Sequence, residues 1–246
     1  MLESDDIFEE IKGAINRIPD NYKILEETID IDVQKEFFES SKGIAIDPDT
    51  DLIPEMIARL NERDTTFEEC KVLLQKLAFI DSVDAFRAIE RYTKDPRPEL
   101  KDWSVLSLQQ SRMVLQCSLL DEQQVFISTG LGGKNNKLRY YFIFPYNQPE
   151  QTLTKIQEDL LVNELAFFMS KHEGEVEFTE FGKRYATSMI LIPLKAPIPD
   201  IIREVLNECN QYGNFLSSDV MVTNMKKLGN EEILRIIDHY EVPEPF

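Results

Sequence analysis

Apolar positions recur at helical spacing through the first 120 residues and alternate at strand spacing through much of the rest, so the chain reads in two grammars. Leu2, Ile7, Phe8, Ile11, Ala14, Ile15 and Ile18 form one helical stripe, with acidic residues in the first turn where the helix dipole favours them. A second helix is expected around Val33–Phe38, and the stretch GIAIDPDTD at 43–51 breaks the periodicity with Gly, Asp and Pro, as a loop does. Two segments of matching grammar follow. DLIPEMIARL, the polar turn NERDT and TFEECKVLLQKLAFI make the first; SVDAFRAIERY, the turn TKDPRPE and LKDWSVLSLQQSRMVL make the second. Each predicts a helix, a short turn and a helix, and neither pair can bury its apolar stripe without a neighbour, which is the logic of a stacked repeat.

From Glu122 the pattern changes. QQVFIST, a turn GLGGKNN and KLRYYFIF predict a β-hairpin, and EQTLTKIQEDLLVNELAFFM predicts the helix after it. The order then recurs: EVEFTEFGKRYATSMILI predicts a second hairpin, with Val176 and Phe178 alternating against Glu175, Glu177 and Thr179, and PDIIREVLNECNQYG a second helix. FIFPYNQP at 142–149 matches ILIPLKAP at 190–197 without a gap, placing Pro145 over Pro193 and Pro149 over Pro197. That match predicts a duplicated ββα unit. A short strand at 219–223 and a last helix, NEEILRIIDHY, capped by Asn230, complete the chain. Without its first strand the order is βαββαβ, the ferredoxin-like order, with one antiparallel sheet and two helices on one face. The other face, with Tyr140, Tyr141 and Phe144 nearby, is expected either to join the core or to form an interface.

The helical segments resemble HEAT-like repeats, in particular the short kind in which an Asp-Pro turn leads into the second helix: Asp95, Pro96, Pro98, Glu99 and Leu100 match that turn, and Lys101 supplies the basic residue after it. Trp103 and Val105 stand where the family places small residues, and the likeness covers about residues 50–118. The resemblance implies a scaffold that binds macromolecules on a curved helical surface, with Arg97, Lys101 and Trp103 as a candidate partner surface. The expected fold class is therefore α+β: an N-terminal α-helical-hairpin, HEAT-like array over 1–120, then a duplicated, ferredoxin-like antiparallel sheet domain over 121–246.

Charge narrows the partners. The chain of 246 residues carries a formal net charge of −18, and residues 1–50 hold 14 Asp/Glu against 5 Lys/Arg. Such a balance repels nucleic acid and anionic membranes, so neither is expected as a partner. Cys70, Cys117 and Cys209 are odd in number, far apart and set among apolar residues, as reduced thiols are. The N-terminus lacks the basic and apolar regions of a secretory signal and no apolar run reaches about 20 residues, so a cytoplasmic location is expected.

Candidate chemistry is sparse. GLGGK at 130–134 lacks the P-loop spacing and lies between two strands, which makes it a turn. DPDTD at 47–51 lacks the Gly and Glu of a calcium loop, holding Leu52 and Ala58 in those places. His172 and His239 have no second ligand at metal spacing, so no metal, cofactor or catalytic set is assigned. Lys134, Lys137 and Arg139 near one hairpin turn, and Lys183 and Arg184 near the other, occupy related places in the duplicate. A pseudo-two-fold axis could gather Lys134, Arg139, Lys183 and Arg184 into a small anion site. Three functions are expected in order: a non-catalytic protein-interaction or regulatory scaffold with a protein partner, including a homodimer through the sheet; a sensor of a small anionic ligand; and an enzyme of unrecognised type.

Overall fold

The computed structural model describes residues 13, 17–19, 21–42, 50–120, 125–148 and 152–241. The expected first helix and the loop at 43–51 fall almost wholly outside them. The fold is mixed helix and antiparallel sheet, in two units: Pro19–Leu25 with Ile29–Ile127, and Met1–Ile18 with Glu26–Thr28 and Ser128–Phe246.

The first unit is helical. Helix α1 (Ile31–Ser41) starts at Asp30, whose carboxylate accepts the Asp32 N–H at 2.8 Å. Helices α2 (Ile53–Leu60) and α3 (Phe67–Ala78) form one pair, and α4 (Val83–Lys94) and α5 (Lys101–Leu120) the next. A capping box starts α3: Thr66 accepts from the Glu69 N–H while the Glu69 carboxylate accepts from the Thr66 N–H. Ser82 caps α4, and Pro98 begins a 3₁₀ turn ahead of α5. The apolar stripes of these helices meet in one core of Phe37, Leu74, Leu77, Ile89, Leu100 and Trp103 among others. Each fully buried Leu or Phe in it contributes about 1.5–3 kcal/mol. Gln75 is buried too, and its Nε2 donates to the Phe37 carbonyl at 2.6 Å and to Ser40 Oγ at 2.9 Å, tying α3 to the end of α1. A two-residue parallel pair closes the unit: β1 (Lys23–Ile24) beside β2 (Phe126–Ile127).

That pairing changes the expected first hairpin. Phe126–Ile127 pairs with Lys23–Ile24 and not with the strand that follows. The hairpin is shorter, β3 (Gly133–Lys134) to β4 (Lys137–Pro145), and turns at Asn135 and Asn136, with φ of 51° and 60°. Asparagine tolerates this left-handed region, so the Asn pair makes the turn. The glycines before it serve close approach: a Cβ on Gly130 would collide with the Met225 carbonyl, and one on Gly132 with the Glu26 carbonyl.

In the second unit α6 (Lys155–Lys171) follows β4, then β5 (Glu175–Phe181), β6 (Tyr185–Ile192), α7 (Ile198–Asn210), β7 (Met221–Thr223) and α8 (Asn230–Glu241). The sheet runs β5-β6-β4, with β3 and β7 on the far edge of β4, and every pair in it is antiparallel. The alternation of side chains across the sheet assigns its two faces. Phe142, Phe144, Ala186, Ile190 and Ile192 pack on Leu161, Leu165 and Phe168 of α6 and Ile201, Val205 and Cys209 of α7, with Tyr140 at the margin. Tyr141, Ile143 and Met189 face the other way, onto Ile233 and Ile237 of α8 and Leu131. Both faces are thus covered within the unit. Tyr140 and Phe144 belong to one core and Tyr141 to the other, which removes the bare sheet face on which the expected homodimer rested.

No helix among the described residues is long and apolar enough to cross a membrane. Cys70 and Cys209 are buried, Cys117 is half-buried, and none is in a disulfide.

Candidate functional site

The four cations expected to form an anion site are not gathered. Leu138 pairs with Ile192 and Pro145 with Tyr185, so the turn carrying Lys134 and the turn carrying Lys183 lie at opposite ends of the β4-β6 pair. At about 3.4 Å per residue the seven steps from Leu138 to Pro145 span about 24 Å. Two of the four are also occupied. Arg139 Nε and Nη2 donate to the two Glu177 carboxylate oxygens at 2.6 and 2.9 Å, and its Nη1 donates to the Leu131 carbonyl at 2.9 Å. The hydrogen bonds it donates to Glu177 raise the guanidinium pKa above its ordinary value. Arg184 Nη1 reaches Asp238 of α8 at 2.7 Å. Lys134 and Lys183 stand exposed at their separate tips.

The candidate partner surface is structural in two of its three residues. Trp103 is 3% exposed, its Nε1 donates to the Lys71 carbonyl at 3.1 Å, and its ring meets Phe37 edge-on at 5.1 Å. Arg97 donates to the Thr65 carbonyl at 2.6 Å and the Glu62 carbonyl at 3.2 Å, linking the turn of the second helix pair to the turn of the first. Lys101, the first residue of α5, is exposed.

Burial shapes the remaining reactive groups. It pushes the Cys209 thiol up to about 12 and raises Cys70, Tyr140 and Tyr146, which keeps all four protonated and unreactive near neutral pH. No group of three or more His, Cys, Asp or Glu side chains among the described residues could hold a metal.

The feature missed in the sequence is a recess in the helical unit, about 210 Å³ in volume, lined by Phe38 of α1, Leu106, Gln109, Gln110 and Met113 of α5, and Phe126 of β2. Leu106, Gln109, Gln110 and Met113 share a face of α5 because helical residues three, four and seven apart align. Phe38 is 40% exposed at the lip, and its ring stands edge-on to the buried Phe37 ring at 5.5 Å. Gln109 Oε1 accepts from Arg112 at 3.2 Å, leaving its NH₂ to donate elsewhere. In the sequence, adjacent glutamines read as solvated helix surface. Their signal was the spacing, which sets two carboxamides into an apolar stripe between Leu106 and Met113.

No protein-family model matches the chain, and no curated protein does. Solved structures do. A candidate transposase from Deinococcus radiodurans R1 aligns at 17% identity and a TM-score of 0.34, covering 43% of this chain and 89% of the other. A REP-associated tyrosine transposase bound to a REP hairpin aligns at 10% identity and a TM-score of 0.32, covering 42% of this chain and 69% of the other. Both neighbours are transposases and one is bound to a hairpin, which stands against the expected non-catalytic protein-interaction scaffold and against the exclusion of nucleic acid. Both expectations are withdrawn, together with the expected protein partner and homodimer. At these TM-scores the likeness carries no residue role and no activity over to this chain.

Proposed function

We propose that the helical unit is a small-ligand-binding module and that the recess between α1 and α5 is its site. The observation that carries this reading is the lining itself: four apolar side chains and two carboxamides converge on about 210 Å³. Binding sites for small molecules share that make-up, mostly apolar walls with a few placed polar groups. The volume is below the usual range of about 300–1,000 Å³ and fits a single small group. Met113 suits such a place, since its unbranched thioether adapts to irregular occupants.

The architecture around the site is proposed with it. The two helix pairs are read as a HEAT-like array, as an arrangement of helices only, and the Arg97 bridge between successive turns supports this. The second unit is read as ferredoxin-like and internally duplicated. Its strand order supports that, and so does its register: Tyr141 pairs with Met189, the two residues that the gapless match of 142–149 to 190–197 places over each other when extended by one position. A pseudo-two-fold axis through that pair accounts for both observations. The division into domains 1–120 and 121–246 and a cytoplasmic location belong to the same reading, the latter supported by the buried free thiols of Cys70 and Cys209.

Saturation-transfer NMR with a library of single-ring fragments tests the site. Binders are expected with the native chain and are expected to be lost in Met113→Trp, which fills the recess, with helical circular dichroism unchanged. Gln110→Trp is the second filler should Met113→Trp misfold. A library without a binder, or binders indifferent to both fillers, overturns the proposal.

A further inference from the structure

We infer that the occupant of the recess is a free, uncharged nucleobase or its nucleoside, an inference that rests on the ligand-binding reading above. Size comes first. A cavity of about 150 Å³ lined by aliphatic and aromatic side chains accommodates benzene, so about 210 Å³ is room for one heterocycle and little more.

Shape and polarity narrow the choice. Phe38, held edge-on by Phe37 at the lip, and Phe126 on β2 supply aromatic surface, and aromatic side chains accept any base by stacking, worth about 1–3 kcal/mol per base. Gln109 and Gln110 lie on adjacent positions of α5, and a carboxamide offers a donor and an acceptor side by side. A nucleobase edge presents the complement: glutamine pairs bidentately with the adenine N6–N7 edge. An aliphatic chain or a plain phenyl ring would leave the two half-buried amides to water, whereas a base edge engages them directly.

Charge excludes the phosphorylated forms. Among the described residues no cationic side chain lines the recess, and residues 1–120 carry 26 Asp/Glu against 15 Lys/Arg, a field that repels phosphate. The free base and the nucleoside are the forms that carry the ring without the charge.

Calorimetric titration of the full chain with adenine, adenosine, uridine, adenosine monophosphate, a penta-adenylate oligonucleotide and toluene tests the inference. Adenine or a nucleoside is expected to bind at least tenfold tighter than the monophosphate and the oligonucleotide. Gln110→Leu and Gln109→Leu are each expected to weaken the base tenfold or more without weakening toluene, which meets a more apolar wall. Toluene binding with no base binding, or base binding indifferent to both glutamine variants, overturns the nucleobase inference while the ligand site stands. Tighter binding of the oligonucleotide than of adenosine overturns the choice of a free base. Binding of neither toluene nor any base sinks both readings.

Discussion

In the helical unit amides and hydroxyls are buried beside the apolar core: Gln34, Thr65, Gln75, Ser104, Ser107 and Ser111 are all under 5% exposed. Between the sheet and helices α6 and α7 the core of the other unit is mostly apolar, with Phe142, Phe144, Leu161, Leu165 and Ile190 around the buried hydroxyl of Ser188. The difference follows from what each element does with its own backbone. Strands β4, β5 and β6 satisfy their N–H and C=O groups against one another along the ladder, so the faces can be apolar. A helix leaves its last carbonyls unpaired, and where that end is buried a neighbouring side chain must meet them. Thr65 does this for α2, its hydroxyl donating to the Arg59 carbonyl. A helical core that must carry polar groups is also the one in which carboxamides can line an apolar recess without being out of place.

The largest expected effect probes the apolar side of this contrast. Phe142 is fully buried between the sheet and its helices, and Phe142→Ala should cost about 3–5 kcal/mol. Native-state hydrogen exchange should register that loss in β4 and β6 while α3 and α5 keep their protection. Equal loss in all four elements would show that the units unfold as one and would remove the contrast.

A smaller effect is expected on the polar side. Gln75→Leu keeps approximate size but removes the amide from the Phe37 carbonyl and from Ser40, which still bond each other, at about 0.5–1.5 kcal/mol. Denaturant unfolding measures it. A neutral or stabilised variant would mean that the buried amide is tolerated and not required, and the helical core would then be no different in kind from the sheet core.

The smallest effect distinguishes the units by pH. Each carries a capping box: Thr66 with Glu69 at α3, and Thr154 with Gln157 at α6. Hydrogen bonds from the Thr66 backbone and hydroxyl hold the Glu69 carboxyl below its ordinary value of 4.5. A depressed carboxyl stabilises the folded state fully above the unfolded pKa, and that contribution fades as pH falls through the lower, folded value. Gln157 does not titrate. Amide exchange in the first turn of α3 should therefore quicken below about pH 4.5 while that of α6 does not, and Glu69→Gln should abolish the difference. Identical acid responses of the two helix starts would contradict it.

Much of this architecture was legible because it is local. Helices α2 to α5 and their turns follow from apolar spacing, from the Thr66 and Ser82 caps and from the prolines. The first strand was misread because its partner, Lys23–Ile24, lies about a hundred positions away, and no local pattern encodes such a pairing. The apolar stripe of α8 was plain, yet nothing in it says that it covers the sheet face opposite α6 and α7. The anion site failed on antiparallel geometry: Leu138 pairs with Ile192 and Pro145 with Tyr185, which sends the two turns to opposite ends of the strand pair. The recess was hidden because Gln109 and Gln110 become lining residues only once α1 and β2 stand beside them.

The chain's single tryptophan has a spectroscopic consequence. Trp103 sits in the helical core with the Lys71 ammonium 4.6 Å from its ring centroid. Light absorbed at the red edge of the ultraviolet band excites that indole alone, so its emission reports on the helical unit while the tyrosine-bearing sheet stays dark. One cuvette can therefore follow the loss of the helical core by itself, with no label attached.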